Sequence, residues 1–282
     1  MKIPQRLQPL LEDGIIDDVL RQLKSGKEAA VYLVRCGGHT RCAKVYKEAN
    51  QRSFRQAVEY QEGRKVRNSR RARAMEKGSR YGKHEQESLW QTAEVEALYR
   101  LAAAGVRVPK TYGFFEGVLL MDVVEDADGQ PAPRLNDVML TPDEARQWHA
   151  QLVREVVRML CAGLVHGDLS EFNILLAADG PVIIDLPQAV DAVHNNHAAR
   201  LLERDVENLA DFFGRFAPEL LQTHYGKEIW KHYANGDLTP DTVLTGQFAE
   251  TTRKADVRGV LREIDAAIKE EMQRQERMRE AE

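Results

Sequence analysis

The stretch His166-Gly167-Asp168-Leu169-Ser170-Glu171-Phe172-Asn173, followed by the apolar run Val182-Ile183-Ile184 and then Asp185, limits what this chain can become more than any other part of it. An H-x-D-x-x-x-x-N segment, an apolar strand and a terminal Asp together meet the needs of phosphoryl transfer from a metal-bound nucleotide. One Asp positions the attacking hydroxyl and accepts its proton, while an Asn and a second Asp hold the metal ions that neutralise the phosphates. Asp168 is therefore the candidate base, and Asn173 and Asp185 are the candidate metal ligands. The segment lies between a helix that stops at Gly163 and a short strand around Ile174-Leu176, so it reads as a loop presenting side chains at a cleft. His166 reads as a hydrogen-bonded strut of that loop. The plainer alternatives are a surface loop without chemistry and, for Asp185, a turn cap before Pro187.

Composition leaves room for such an enzyme. The 282 residues, 43% hydrophobic and 30% charged, suit a globular chain with a sizeable core, large enough for two lobes. No run of eighteen apolar residues occurs, and Met1-Lys2-Ile3-Pro4 leads into polar sequence, so neither a membrane span nor a secretory signal is expected and the location expected is cytoplasmic. Cys36, Cys42 and Cys161 lack C-x-x-C spacing, which argues against a disulfide framework or a zinc site. The net charge of -4 hides an asymmetry: residues 51–84 hold eleven Lys/Arg against three Glu, +8, which leaves -12 for the rest. A local basic segment of this kind, poor in apolar residues, suits a polyanion such as RNA or the phosphates of a nucleotide. A solvated loop with no partner is the alternative.

The pattern of elements is α+β. Val19 to Leu23, Ala29 to Val34 and Arg41 to Tyr46 read as an antiparallel meander punctuated by Ser25-Gly26 and Gly37-Gly38. Ser88 to Ala104 has helical spacing and stops at Gly105. Val106-Pro109, Thr111-Phe115 and Val118-Val123 read as further strands, with a turn at Glu116-Gly117. Asp126 to Pro133, rich in Gly, Pro and Asp, marks a lobe boundary, and helices dominate beyond it. Thr141-Pro142-Asp143-Glu144 is a capping box whose helix carries Trp148, Leu152, Val156 and Leu160 inward. Arg204 to Phe216 and Val257 to Ile268 repeat the amphipathic pattern, and His194-Asn195-Asn196-His197 reads as an exposed turn rather than a metal site.

Period-two alternation puts Cys42, Lys44 and Tyr46 on one strand face, so Lys44 points either to solvent or into a cleft. An inward Lys needs a carboxylate. Trp90, Glu94, Leu98 and Leu101 form one helical stripe, which makes Glu94 a buried acid in search of a cation. The Lys24-Ser25-Gly26-Lys27 turn offers backbone N–H groups, the Ser25 hydroxyl and Lys27 to phosphates, although the signal is weak without a G-x-G-x-x-G pattern. Leu119-Leu120-Met121-Asp122-Val123-Val124 precedes the boundary. In a two-lobed nucleotide enzyme the Asp122 carbonyl and Val124 N–H would meet the adenine edge, with Met121 beside the ring.

These segments together resemble the RIO family of atypical protein kinases, its type-one branch in particular. The resemblance is carried by Ser25-Gly26-Lys27-Glu28-Ala29 with Val31-Tyr32, Ala43-Lys44-Val45-Tyr46-Lys47, Ala104-Gly105-Val106 with Pro109, and Pro131-Ala132-Pro133-Arg134-Leu135. It continues through His166 to Asn173, Ile184-Asp185-Leu186-Pro187-Gln188-Ala189-Val190 and Arg204-Asp205-Val206-Glu207-Asn208. It implies a two-lobed kinase fold, with a β-rich N-lobe and one main helix in residues 1–124 and a mostly helical C-lobe in 125–282. It also implies ATP with Mg²⁺ or Mn²⁺, and serine/threonine kinase activity that includes phosphorylation of the protein itself. Alignment back from Ala104-Gly105-Val106 selects Glu94 as the partner of Lys44. The basic segment 51–84 corresponds to the flexible loop RIO proteins carry between the Lys strand and this helix. RIO relatives act in maturation of the small ribosomal subunit, and some work as ATPase switches that form an aspartyl-phosphate at the residue matching Asp185.

Departures from conventional kinases qualify the implied substrate. Ser170 stands where a Lys is usual, D-F-G is replaced by Asp185-Leu186-Pro187, and nineteen residues separate Asp185 from Asp205, too few for a peptide-docking segment plus its helix. No winged-helix segment precedes the lobes and no long charged tail follows them, which points to a bacterial or archaeal type-one member. Two rivals remain at this stage. A small-molecule phosphotransferase of the aminoglycoside or choline kinase kind would lack the Ser25 to Ala29 loop and Gln188. An RNA- or ribosome-binding assembly factor would use ATP hydrolysis only to time its release.

Overall fold

The computed structural model describes residues 3–26, 28–47 and 80–248, with side chains from residue 92 onward in the last stretch. The described residues as far as Gln247 form one compact unit. The helix expected over Val257 to Ile268, Lys27, and the basic segment as far as residue 79 lie outside the described residues.

A five-stranded antiparallel sheet builds the first lobe in the order β1-β2-β3-β5-β4. Its strands are β1 (Asp18–Ser25), β2 (Ala29–Cys36), β3 (His39–Tyr46), β4 (Thr111–Phe115) and β5 (Val118–Asp122). The β2-β3 and β4-β5 connections are two-residue turns, Gly37-Gly38 and Glu116-Gly117, with positive φ at both positions. That is the backbone twist a tight hairpin requires, and it explains why Gly recurs there. Alternation along β3 sorts the faces. Ala43 and Val45 join the cluster of Leu7, Leu10, Ile16 and Val34 on the outer face, where the short helix α1 (Gln8–Glu12) covers the sheet. Lys44 and Tyr46 point the other way.

Helix α2 (Arg80–Ala103) lies across that inner face and buries Ala97, Leu98 and Leu101. It begins at Arg80 rather than at the expected Ser88, because its first two turns are polar and carry no apolar stripe to announce a helix. Gly105 ends it at φ +74.

Val106 to Pro109 is not a strand. The Arg107 N–H donates to Glu155 Oε2 at 3.0 Å, and its carbonyl accepts from the Ile183 N–H at 2.9 Å. Its guanidinium reaches the Pro181 carbonyl at 3.1 Å and both oxygens of Asp179. The Arg107 peptide group is thus committed to the second lobe, the Val106 and Val108 N–H groups bond locally to the Leu101 and Val106 carbonyls at 3.0 Å each, and Pro109 has no N–H to offer a neighbouring strand.

The second lobe is mainly helical: α3 (Pro142–Cys161), α4 (Ala198–Phe213) and α5 (Tyr225–Asn235). Thr141 closes the capping box on α3, its hydroxyl accepting from the Glu144 N–H while its own N–H donates to Glu144 Oε2 at 2.8 Å. Leu152, Val156 and Leu160 of α3 share a core with Leu201, Leu209 and Phe213 of α4. Helix α4 starts at Ala198, six residues before the expected Arg204. Asn195 in the turn before it is buried at 4% exposure, so that turn is only partly exposed as expected: His194 faces outward to Asp191 at 2.9 Å. No group of three His, Cys, Asp or Glu among the described residues could hold a metal ion by itself. Two small ribbons, β6 (Leu164–Val165) with β9 (Val190–Asp191) and β7 (Ile174–Ala177) with β8 (Gly180–Ile183), complete this lobe. The three cysteines are free thiols. No helix among the described residues is long and apolar enough to cross a membrane.

Candidate active site

A cleft of about 800 Å³ opens between the sheet and the second lobe, a size suited to a nucleotide-sized ligand. β3 carries Lys44 into it. Lys44 Nζ donates to Glu94 Oε1 at 2.6 Å and to Asp185 Oδ1 at 2.8 Å, so three of the residues singled out from sequence meet at one point. Glu94 is 2% exposed, and the Lys44 side chain 11%. Burial by itself would lower the Lys44 pKa, but the carboxylates of Asp185 and Glu94 outweigh it and hold the ammonium well above its ordinary value. The second oxygen of Glu94 accepts from the Tyr46 hydroxyl.

Asp185 follows β8 in a left-handed backbone conformation, φ +68, which a non-glycine residue adopts only where its surroundings hold it. The Ile184 N–H bonds to the Asn173 carbonyl at 2.9 Å, and Leu186 is fully buried, so the chain is pinned on both sides. The Asp185 side chain keeps 43% of its surface open and faces the cleft. The Lys44 ammonium holds its carboxyl below the usual carboxylate range, against the effect of burial.

The loop from His166 to Asn173 is suspended from α4. Asp205, 1% exposed, accepts the Gly167 N–H at 2.7 Å on one oxygen and the Leu169 N–H at 2.9 Å on the other. Arg204 donates to the Gly167 carbonyl, and Asn208 to the Leu169 carbonyl at 2.9 Å. Burial pushes the Asp205 carboxyl up to about 7, opposed by those two N–H donors and by Arg204. His166 sits beneath the loop as a strut: Nε2 lies 3.1 Å from the Ile184 carbonyl and Nδ1 accepts the Asp168 N–H at 3.3 Å, a pattern that fixes the neutral tautomer. With its backbone fixed, Asp168 projects into the cleft. Burial raises its pKa, the nearby Asp185 raises it further, and Arg204 and the Asn173 amide pull it down.

Other expected site residues are placed unevenly. Met121, Asp122 and Val124 line the cleft, together with Lys24 and Gly26. The Asp122 side chain turns to Arg41 and to the Tyr112 hydroxyl, each at 2.7 Å. Ser25 is not among the lining residues, and its hydroxyl lies 3.3 Å from Lys47 Nζ instead. Asn173 is 8% exposed and stands behind Asp168, whose carbonyl accepts from its Nδ2 at 2.8 Å. Sequence reasoning assigned no role to Tyr46, Arg204, Asp205 or Asn208. Asp205 carried the signal that found Glu94, an acid on an apolar helical stripe with Leu201, Leu202 and Leu209.

The donor set is one a hard cation accepts. Asp185 offers a carboxylate held ionised and open to the cleft, while Asn173, its Nδ2 bonded to the Asp168 carbonyl, keeps an amide oxygen but is not among the residues that line the cleft. Two oxygen donors do not complete a coordination shell, which is the condition in which Mg²⁺ or Mn²⁺ binds through phosphate oxygens and water as well.

A sheet lysine that neutralises a helix glutamate on one side and a strand-end aspartate on the other is the arrangement protein kinases use to hold nucleotide phosphates. The α+β architecture around it agrees, and fold and site together define an enzyme of the protein-kinase class, one that takes ATP and a divalent metal. A family model described as the RIO domain matches residues 30–225. The RIO-type serine/threonine-protein kinase Rio1 of Haloferax volcanii is 38% identical over 208 residues, covering 73% of this chain and 67% of its own length. Rio1 of Methanocaldococcus jannaschii is 32% identical over 233 residues, 82% of this chain and 73% of its own. The human serine/threonine-protein kinase RIO1 is 30% identical over 236 residues, and this chain spans only 39% of it. A solved kinase domain superposes with a TM-score of 0.46 at 13% identity, over 72% of this chain and 63% of its own. The chain belongs to the RIO family.

Proposed function

We propose that the chain is an ATP-dependent serine/threonine protein kinase of the RIO type, cytoplasmic, that transfers the γ-phosphate to a protein hydroxyl, its own included. The lobes divide between residues 124 and 125 in this reading. The observation that carries it is the meeting of Lys44, Glu94 and Asp185 in the same cleft that Asp168 lines.

Each residue then has a task. Glu94 orients the Lys44 ammonium toward the α- and β-phosphates. The Asp122 carbonyl and Val124 N–H meet the adenine edge with Met121 beside the ring, while the turn containing Ser25 and Lys27 covers the phosphates with its backbone. Asn173 and Asp185 hold Mg²⁺ or Mn²⁺, which would neutralise charge on the transferring phosphoryl group. Asp168, its pKa raised by burial, aligns the acceptor hydroxyl and takes up its proton. Arg204, Asp205 and Asn208 keep that carboxylate in place through the loop backbone.

A second reading, an ATPase switch in small-subunit maturation that contacts RNA through residues 51–84, draws on a specific feature. Between Asp185 and α4 the chain has room only for the β9 ribbon and a turn, which leaves little platform for a docked peptide. Incubation with γ-labelled ATP and Mg²⁺ separates the readings. Acid-stable label on Ser or Thr, lost in Asp168→Asn, is expected for the kinase. Label that hydroxylamine removes, and that Asp185→Asn abolishes, would mark an acyl-phosphate and favour the switch. No turnover of ATP, alone or with small-subunit precursors, would sink both.

A further inference from the structure

Glu94 is held by two donors, not one. Its Oε1 takes Lys44 Nζ at 2.6 Å, and its Oε2 takes the hydroxyl of Tyr46, two residues further along the same face of β3. Tyr46 is itself anchored on three sides. Its backbone pairs with Ala29 of β2, its N–H donates to the Gly117 carbonyl at 3.0 Å, and its ring packs edge-on against Phe114 with centroids 6.1 Å apart. Both partners are nearly closed to water, Tyr46 at 4% and Glu94 at 2% exposure. A carboxylate oxygen at that depth without a donor would be strongly unfavourable. The phenol stays protonated, because burial and then the Glu94 charge hold its pKa well above the ordinary value.

Lys44 also bonds Asp185, and phosphates in the cleft would compete for the same ammonium. A glutamate held by Lys44 alone would lose its sole donor whenever that lysine moved toward either. The Tyr46 hydroxyl removes this dependence by tying α2 to the sheet through a neutral group that has no other task.

We infer that Tyr46 is a positioning residue, one that seats α2 and Glu94 on the sheet whether or not Lys44 is engaged elsewhere, so that the lysine can move during turnover without releasing the helix. The inference rests on the phosphotransfer reading of the cleft for its effect on rate, and on geometry alone for the seating of α2.

Tyr46→Phe keeps the ring and removes the bond. The expected result is a fall of about tenfold in kcat for transfer from ATP, the scale of one hydrogen bond to a charged group, with KM for ATP changed by less than about threefold. Amide exchange over Thr92 to Ala103 should be faster than in wild type. In a Glu94→Gln background Tyr46→Phe should add less than about twofold, because the two residues act as one unit. Wild-type kcat together with unchanged exchange in Tyr46→Phe would overturn the inference, as would full additivity in the double variant. If the wild-type protein transfers no phosphate, the proposed function fails separately. The exchange measurement then decides the seating of α2: faster exchange supports it and unchanged exchange refutes it.

Discussion

Lys44 Nζ stands 2.8 Å from Asp185 Oδ1, so a strand of the sheet and the second residue past β8 in the other lobe are joined by an ion pair across the cleft. The same ammonium neutralises Glu94, which makes Lys44 the shared counter-charge of two acids. Lys44→Met should leave both carboxylates facing an apolar chain. Unfolding in urea should show a loss of about 3 kcal/mol, typical of breaking a buried pair at one partner, and phosphoryl transfer should fall at least a hundredfold. Wild-type stability in this variant would mean that the pair contributes little to the fold.

Asp205 holds the site loop through the backbone of Gly167 and Leu169. Asp205→Ala removes the carboxylate acceptor of both N–H groups, and a loss of about 2 kcal/mol is expected. Asp205 does not line the cleft, so ATP affinity should stay within a few-fold of wild type while kcat drops by tenfold or more. Equal losses in affinity and kcat would argue against a role confined to the loop.

His149 gives the fold a pH dependence. It is 1% exposed, its Nε2 has no hydrogen-bond partner among the described residues, and it packs between the rings of Phe213 and Tyr225, each centroid 5.7 Å away. Burial lowers its pKa from 6.5 to about 4. Between those values the unfolded state binds more protons than the folded one, so stability falls as the pH falls and is fully retained above about 6.5. About 2 kcal/mol should be lost between pH 7 and pH 5 from this residue. Denaturation curves at the two pH values should show that difference shrinking in His149→Phe.

The two acidic anchors of Arg107 should differ sharply in weight. Asp179 makes a bidentate pair with its guanidinium but is 74% exposed, and Asp179→Ala should cost less than about 1 kcal/mol. Glu155, 1% exposed, accepts both the Arg107 N–H and Arg158 Nη1, and Glu155→Gln should cost about 2 kcal/mol or more. Thermal unfolding of the two variants side by side tests the order.

Strands whose turns need glycine, and helices with a marked cap, were legible in the sequence to within a few residues. Thr141 to Glu144 announced α3, and Gly37-Gly38 announced the β2-β3 hairpin. Val106 to Pro109 misled because apolar content does not say where backbone groups find partners, and here those of Arg107 find them in another lobe. Polar first turns hid the true start of α2, and a turn of small and polar residues hid that of α4. At the site, Lys44, Glu94 and Asp185 were visible as charges set in apolar surroundings. Tyr46 was not, because a tyrosine on a strand face looks the same whether its hydroxyl bonds solvent or a buried acid.

Arg107 stitches its segment to the second lobe, its peptide group and guanidinium bonded to Glu155 of α3 and to the β7-β8 ribbon. The Lys44–Asp185 pair is a separate attachment between the same two lobes. Phosphates that drew Lys44 away from Asp185 would therefore loosen one seam while the Arg107 seam stayed sewn.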